Sequence, residues 1–223
     1  MFETFLCELK NIISCSSYVN LKSIIKNMKF NLSLSVPIYL KTILSVEGSI
    51  TLSECKLLYD IASQIATGCI VEIGSYRGRS TVALSLGSLS NSRVPLFAID
   101  PHEPFLGING KQFGPEDRIE FFKNILKTGV GEIVHLINLK SEVVAKCWDR
   151  EISILWIDGD HRYQKVKKDY KNWESHIIKN GYLLFHDSTN PNLGPYKVVI
   201  SAINSGKYKK ITQVNSIQIL QKK

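Results

Sequence analysis

Two segments of the chain end in a mixture of acids and imidazoles. Each begins with a mostly apolar run, 154–157 in one and 181–185 in the other, with the length and composition of a buried β-strand. In an open parallel sheet the carboxyl ends of the strands meet at one edge, where ligands bind. The polar residues that follow the two runs are therefore expected to form one site. They are Asp158, Asp160, His161, His186 and Asp187.

Carboxylates combined with imidazoles admit three interpretations. They can bind a divalent metal ion. Alternatively, His161 or His186, oriented by Asp160 or Asp187, can act as a general base on a hydroxyl group. In the third interpretation, Asp160 and His161 only cap the helix that follows. The residues alone leave all three open.

The segment 69–86 predicts a buried strand, a glycine turn and a helix N-terminus. Gly74 and Gly78 stand four residues apart in this turn. Glycine lets the backbone approach a ligand closely, and the free N–H groups of Ser75 to Gly78 can face a carboxylate. Glu72, just before the turn, can face a cationic amino group. A purely structural strand–helix turn is the alternative.

A dinucleotide-binding turn is disfavoured at this position. The G-x-G-x-x-G pattern requires glycine where this chain has Tyr76 and Arg79. A pyrophosphate would meet side chains there, which argues against NAD and FAD. The turn is better suited to a ligand that carries an amine and a carboxylate.

A further apolar run, 96–99, ends in Asp100, 26 residues after Gly74. An acid at the end of the second strand can accept hydrogen bonds from ribose hydroxyls. The alternative is an ordinary turn aspartate before Pro101. The segment 101–115 that follows is rich in proline and glycine, and it is predicted to be a substrate-binding loop.

The remaining pattern alternates helices and strands. Thr51-x-x-Glu54 is a capping box that opens a helix ending near Gly68. Helices are predicted over 116–127, 142–148 and 197–204, and a strand over 133–139. Val166, Tyr170, Trp173 and Ile177 recur at helical spacing and predict a core-facing helix. Residues 209–214 and 216–220 predict a C-terminal hairpin.

Residues 1–30 have apolar side chains at spacings of three and four residues, which is typical of amphipathic helices. A helical pair that packs on the domain or on a second subunit is one interpretation. A substrate lid is the other.

Composition narrows the class of protein. The 223 residues are 44% hydrophobic and 22% charged, as in ordinary globular proteins. No apolar run approaches the ~20 residues that span a bilayer, and the N-terminus does not resemble a signal peptide. The five cysteines form no C-x-x-C pair, which favours reduced thiols and a cytoplasmic location. The excess positive charge is concentrated in lysines after Asp187 without arginine, so specific nucleic-acid recognition is not expected.

Taken together, these motifs resemble the class I methyltransferases that use S-adenosylmethionine. The narrower resemblance is to the branch whose fourth core strand is followed by Ile-Asp-Gly-Asp-His-x-Tyr, here 157–163, and whose fifth ends in His-Asp, here 186–187. Glu47-Gly48, Asp100-Pro101-His102 and the segment 121–126 also match. The resemblance covers residues 46–220.

The resemblance implies an α/β, Rossmann-like sheet of seven strands with an antiparallel last hairpin. This domain would span residues 46–223, after a helical extension of residues 1–45. The implied cofactor is S-adenosylmethionine, with Asp100 on the ribose. Ser141 would lie near the adenine, or else cap the helix that begins at Glu142. The implied cofactor-binding residues are Glu72, Gly74, Ser75, Tyr76, Gly78, Ser80, Asp100, Ser141 and Asp158.

The resemblance also implies metal ligands, namely Asp158, His186 and Asp187. His186 stands where related sugar and catechol O-methyltransferases more often have aspartate. An imidazole at that position favours Mn²⁺, Fe²⁺ or Zn²⁺ over Mg²⁺.

The predicted function is methylation of a hydroxyl oxygen on a small molecule or sugar, with Asp158, His161 and His186 as the catalytic residues. The Asn/Asp-Pro-Pro-Tyr element of nucleic-acid methyltransferases is absent from the sequence. Two alternatives are a metal-dependent hydroxylase of the same fold and a catalytically inactive cofactor-binding regulatory or assembly subunit. A homo-oligomer through the N-terminal helices is a further expectation.

Overall fold

The computed structural model describes residues 36–108 and 110–223. The helical pair predicted within residues 1–30 lies outside the described residues, as does any oligomer contact through it. The predicted division of the chain at residue 45 stays a prediction.

The described chain alternates helices and strands, as expected. The helices are α1 (Ile38–Leu44), α2 (Leu52–Ala62), α3 (Arg79–Leu89), α4 (Pro115–Thr128), α5 (Ser141–Val144), α6 (Tyr163–Trp173) and α7 (Gly194–Asn204). The strands are β1 (Cys69–Ile73), β2 (Leu96–Ile99), β3 (Phe105–Leu106), β4 (Gln112–Phe113), β5 (Val134–Ile137), β6 (Ile152–Ile157), β7 (Ile177–Phe185), β8 (Tyr208–Val214) and β9 (Ile217–Lys222).

Seven of these strands form one sheet in the order β5-β2-β1-β6-β7-β9-β8. The first five in this order pair in parallel, and β9 pairs antiparallel with both β7 and β8. The predicted seven-stranded sheet with an antiparallel last hairpin is therefore confirmed. β1 and β6 lie at its centre and are buried along their whole length.

Side chains of β1 alternate between two hydrophobic layers, one on each face of the sheet. Ile70 packs with apolar residues of α2, α3 and α4. Val71 packs on the opposite face with residues of α6 and α7. Glu72 follows this alternation, so its side chain lies on the same face as Ile70, towards α3.

The predicted capping box is present at the start of α2. The Thr51 N–H donates to Glu54 Oε2 at 2.8 Å, and the Glu54 N–H donates to Thr51 Oγ1 at 3.4 Å. Glu54 is buried, and its other oxygen accepts the Ser216 N–H at 3.0 Å. The capping box therefore also ties α2 to the turn between β8 and β9.

Two local predictions were wrong in detail, and the predicted loop contains an additional element. The helix predicted over 142–148 is a single α-turn, α5, continued by a 3₁₀ turn over Ala145–Cys147. Ile177 does not extend α6. The helix ends at Trp173, a 3₁₀ turn follows, and Ile177 begins β7 by pairing with Ile152. The segment 101–115 contains a small antiparallel hairpin, β3–β4, because Phe105 and Phe113 pair across it.

Within the described residues, no helix combines the length and apolar character needed to cross a membrane. Cys55 and Cys69 are buried free thiols, and Cys147 is an exposed one.

Candidate active site

The carboxyl ends of β1, β2, β6 and β7 border one cavity of about 540 Å³. Most of the residues predicted from the sequence line it, although they come from five separate segments. These are Gly74, Ser75, Tyr76, Ser80, Asp100, Ser141, Asp158, His161, His186 and Asp187. Of the predicted cofactor residues, Glu72 and Gly78 lie behind its wall.

Gly74 is required by a close approach between two strand ends. Its φ of +85° is in the left-handed region, and a Cβ there would lie 2.5 Å from the Asp158 carbonyl oxygen. The neighbouring N–H of Asp158 donates to the Ile73 carbonyl at 2.9 Å. The glycine turn and the polar cluster after β6 are therefore in direct backbone contact. Gly78 also has a positive φ, +93°, and packs against Phe121.

Asp100 organises the glycine turn. Its Oδ2 accepts the backbone N–H groups of Ser75 and Tyr76 at 2.9 and 3.1 Å, and its Oδ1 accepts the N–H of His102 at 2.9 Å. The carboxylate nevertheless lies at the cavity surface, with 18% of its side chain exposed. Asp100 is thus a turn residue that also faces the cavity, which combines the two alternatives drawn from the sequence.

His102 is a buried residue that the sequence did not single out for the site. Its Nε2 lies 2.9 Å from the Tyr76 carbonyl oxygen, and its buried Nδ1 has no hydrogen-bond partner among the described residues. The backbone of Tyr76 is therefore held at its carbonyl by the His102 ring and at its N–H by Asp100. Local sequence gave no signal for this role, because it depends on the contact between two loops.

Glu72 is fully buried, and its two carboxylate oxygens accept the hydroxyls of Ser80 and Thr81 in the first turn of α3. Burial raises the pKa of Glu72 to about 8 in spite of these two hydrogen bonds, and the nearby charges of Asp158 and Asp100 act in the same direction as burial. The carboxyl is thus held behind the turn rather than at the cavity surface. A direct contact of Glu72 with a cofactor amine stays a prediction.

Asp158, His161, His186 and Asp187 converge at the ends of β6 and β7. His186 Nδ1 lies 3.0 Å from Asp158 Oδ1, and His161 Nε2 lies 3.5 Å from the same oxygen. Asp187 Oδ2 is 3.5 Å from His161 Nε2 and 3.7 Å from His186 Nδ1. We call these four residues the rim cluster.

Residues of the rim cluster shift each other's pKa, so that the carboxylate and the imidazoles carry opposite charges. Burial opposes the ionisation of Asp158, but the charge of His186 and hydrogen bonds from both histidines lower its pKa to about 2. Burial likewise opposes a charge on His186, but Asp158 and then Asp187 raise its pKa to about 9. The pKa of His161 is also raised, because the interaction with Asp158 exceeds the opposing effect of burial. In the unliganded protein at neutral pH, Asp158 and His186 therefore form an ion pair.

The donor atoms of the rim cluster fit a divalent metal ion. Single ligand atoms of Asp158, His161 and His186 all lie within 4.8 Å of one another. Ligand atoms around a tetrahedral Zn²⁺ stand about 3.4 Å apart, given Zn–N bonds of about 2.1 Å. The buried His161 Nε2 also lacks a well-aligned hydrogen bond among the described residues. His161 therefore joins Asp158 and His186 as a candidate ligand, and the predicted Asp187 stands next to them.

At the far end of the cavity, the Ser141 hydroxyl donates to Asp169 Oδ1 on α6. Burial raises the pKa of Asp169 to about 6, despite this hydrogen bond. Ser141 is thus the first residue of α5 and a cavity residue at once. Asp169 was not expected from the sequence, because it lies in the middle of a helix that carries no ligand motif.

The β3–β4 hairpin covers one side of the cavity with aromatic rings. Phe113 meets Tyr76 edge to face, with ring centroids 5.4 Å apart, and Lys111 Nζ lies 3.8 Å from the centre of the Tyr76 ring. Arg162 bonds both Asp160 and the Leu106 carbonyl, at 2.7 and 3.1 Å. The hairpin predicted as a substrate loop is thereby tied to the segment that carries the rim cluster.

The backbone of His161 is held by the start of α7. The Gly194 N–H donates to the His161 carbonyl at 2.9 Å, and a Cβ on Gly194 would lie 2.5 Å from that oxygen. Any side chain at position 194 would displace the loop that carries His161.

Comparison with known proteins identifies a family that matches this chain. Residues 71–188, more than half of the chain, match a family model described as a methyltransferase domain. The chain therefore belongs to this methyltransferase family. The predicted class of enzyme is confirmed at this level.

Solved methyltransferases have the same fold. The chain resembles the SAH-bound Podospora anserina methyltransferase PaMTH1, with a TM-score of 0.63 and 14% identity, over 91% of this chain and 96% of that one. It resembles an O-methyltransferase from Bacillus cereus in complex with SAH, with a TM-score of 0.60 and 13% identity, over 87% and 96%. TomG, an O-methyltransferase from Streptomyces achromogenes involved in tomaymycin synthesis, gives a TM-score of 0.58 and 13% identity, over 78% and 81%. At such identities the likeness shows the fold, which is that of the class I methyltransferases.

A relative in sequence is the uncharacterized protein R132 of Acanthamoeba polyphaga mimivirus. It is 32% identical over 149 residues, which are 62% of this chain and 62% of that protein. The chain spans less than two thirds of the length of this relative.

Proposed function

We propose that the protein is an S-adenosylmethionine-dependent methyltransferase that acts on a hydroxyl oxygen of a small molecule or sugar. The observation that carries the proposal is the direct contact between the glycine turn at Gly74 and the rim cluster. A cofactor on the turn and an acceptor at the rim would then be adjacent in one cavity. The solved structures with SAH or SAM bound support this choice of cofactor.

S-adenosylmethionine carries a reactive methyl group on a sulfonium sulfur, so the protein has mainly to align it with an acceptor. Gly74 lets the turn after β1 contact the backbone after β6 at the cavity, and Asp100 presents a carboxylate at the cavity surface for the ribose. Ser141 and Asp169 form the polar end of the cavity on the adenine side.

The rim cluster provides a proton acceptor for a hydroxyl group. His186 is cationic and paired with Asp158, so it is poorly suited to accept a proton. The His161 ring is partly exposed in the cavity, while its Nε2 is buried beside Asp158 and Asp187 and has no well-aligned hydrogen bond among the described residues. We therefore assign His161 as the general base, with Asp158 and Asp187 stabilising the charge that it acquires.

The same residues fit a metal-assisted variant of the reaction, since Asp158, His161 and His186 could hold a divalent ion. Such an ion would polarise the acceptor oxygen. Nitrogen ligands favour Mn²⁺, Fe²⁺ or Zn²⁺ over Mg²⁺.

Two measurements test which cofactor the protein binds and which kind of acceptor it methylates. Calorimetry should show binding of S-adenosylmethionine and no binding of NAD. Methyl-labelled cofactor should then transfer label to members of a panel of catechols, sugars and amines, with hydroxyl compounds preferred. Failure to bind S-adenosylmethionine, or exclusive transfer to amines, would contradict the proposal.

Chelation of metal ions distinguishes the reaction with His161 alone from the metal-assisted reaction. If His161 acts alone, turnover should survive dialysis against EDTA. If an ion is required, EDTA should abolish turnover while cofactor binding remains, and one of the three ions should restore it.

A further inference from the structure

Helix α4 has an apolar stripe on its outer side. Its inner face is buried, with Phe121 and Ile125 in the core. On the outer side, Ile119, Phe122 and Leu126 are 55%, 50% and 79% exposed. Because they recur at spacings of three and four residues, these three side chains lie in one line along the helix. We call them the α4 stripe.

Scattered exposed apolar residues are common, so the stripe alone identifies no partner. The charges beside it are more informative. Glu116 and Glu120 occupy the first half of α4, and Lys123 and Lys127 occupy the second half. At about 100° per residue, all four lie on the same flank of the stripe, roughly 40–100° around the helix from Ile119. The flank is therefore acidic at one end and basic at the other.

We propose that the α4 stripe is a homodimer interface, in which α4 packs antiparallel against α4 of a second copy across a two-fold axis. Such an axis reverses the helix direction but keeps the charged flanks on the same side. The acidic half of each flank then faces the basic half of the other, while Phe122 lies near the axis. A parallel pair about a two-fold axis would instead place the two charged flanks on opposite sides of the interface, where they could not pair with each other.

The charged side chains are free to make these pairs. Lys123 and Glu120 form an exposed pair within the helix at 2.7 Å, with 65% and 40% of their side chains exposed, and such pairs exchange partners easily. Among residues 36–108 and 110–223, neither Glu116 nor Lys127 has an ion-pair partner. The antiparallel arrangement supplies partners of opposite sign to all four.

The area that the α4 stripe can bury determines how tightly two copies of the chain are expected to associate. A helix of 14 residues is about 21 Å long. One helix pair buries less than the roughly 800 Å² per partner of a standard interface. We therefore expect a reversible dimer whose population depends on concentration in the micromolar range, not a permanent one.

Complementary charge reversal tests both the surface and its symmetry in the full-length chain. One variant combines Glu116→Lys and Glu120→Lys, and the other combines Lys123→Glu and Lys127→Glu. Analytical ultracentrifugation should show a concentration-dependent dimer for the wild type. Each variant alone should dissociate at least about tenfold more readily, because all flank charges in its homodimer have the same sign. An equimolar mixture should recover association, because every glutamate again faces a lysine.

A single Leu126→Ser change should also weaken the dimer, and its site is too exposed to threaten the fold. Ile200→Ser removes a 41% exposed apolar residue on α7 and is the matched control that should leave the dimer intact. Circular dichroism checks that every variant is folded. A wild type that stays monomeric at all accessible concentrations would overturn the proposal, as would a dimer that persists in both charge variants and in Leu126→Ser. None of these outcomes depends on the proposed methyltransferase chemistry.

Discussion

The two histidines of the rim cluster differ in their surroundings, although both lie at strand ends. His186 is 6% exposed and makes a 3.0 Å contact with Asp158. The ring of His161 is 20% exposed and is 3.5 Å from the nearest carboxylates. The first arrangement stabilises a fixed positive charge, while the second holds the imidazole less closely against the carboxylates and leaves part of the ring exposed in the cavity.

His161→Ala should therefore lower turnover by about 10²–10⁴-fold, as is typical for the loss of a general base. Cofactor affinity should change little, because the glycine turn and Asp100 remain in place. Single-turnover kinetics and calorimetry measure the two effects separately. His135→Ala, on the exposed edge strand β5, is the control. If the variant melts several degrees lower yet turns over normally, the role of His161 is structural and it is not the general base.

The identities of the rim residues could be predicted from the sequence because each follows an apolar run directly. The protonation states could not. They depend on distances of 3.0–3.7 Å between residues up to 28 positions apart, 158 to 186. His102 and Asp169 were missed for the same reason, since each acts through a contact with a distant segment.

Among the structural elements, the glycine turn between β1 and α3 is the one proposed to bind the cofactor. Asp100, at the end of β2, bonds two of its amides, so β2 and the turn form one unit. A carboxylate that is already held by backbone donors is also well oriented to accept further hydrogen bonds from a ligand.

Asp100→Ala should weaken binding of S-adenosylmethionine by about 1–3 kcal/mol, the scale for a buried charge-assisted hydrogen bond and for two amides left without their acceptor. Gly74→Val should abolish binding, because the branched side chain would collide with the backbone of Asp158. Calorimetry measures both, with the exposed Asp149→Ala as a control. Wild-type affinity in Asp100→Ala would remove this residue from the site.

Helices and strands could be predicted from the sequence where the spacing of apolar residues is regular over the whole element. The strand ends, α4 and the C-terminal hairpin follow from long apolar runs and clear caps. The end of α6 could not be predicted, because Ile177 continues the helical spacing while pairing with β6. The β3–β4 hairpin is formed by strands of two residues each, too short to leave a pattern.

At the scale of the whole molecule, the buried Glu72 links stability to pH. Its pKa is raised to about 8 from the ordinary 4.5, so the folded state retains a proton that the unfolded chain releases between those values. The free energy of unfolding must then fall as pH rises through this window.

Glu72→Gln removes this contribution while it keeps an acceptor for Ser80 and Thr81. The difference in unfolding free energy, wild type minus variant, should decrease by about 2–4 kcal/mol from pH 5 to pH 8. Urea titrations at several pH values measure it, and taking the difference cancels the contributions of His186 and Asp169. A difference that does not vary with pH would show that Glu72 is ionised throughout.

The contact between Gly194 and the His161 carbonyl has a consequence for laboratory evolution of this enzyme. A library that varies only α7 would spare every residue of the cavity, yet changes at its first position would shift the loop that carries His161, the proposed base. A selection for activity on new acceptors would then reject those variants because their turnover is lower, not because they bind the acceptor less tightly. Diversity is better introduced on the β3–β4 hairpin, where the side chains of Leu106 and Ile108 are exposed and Ile108 lines the cavity.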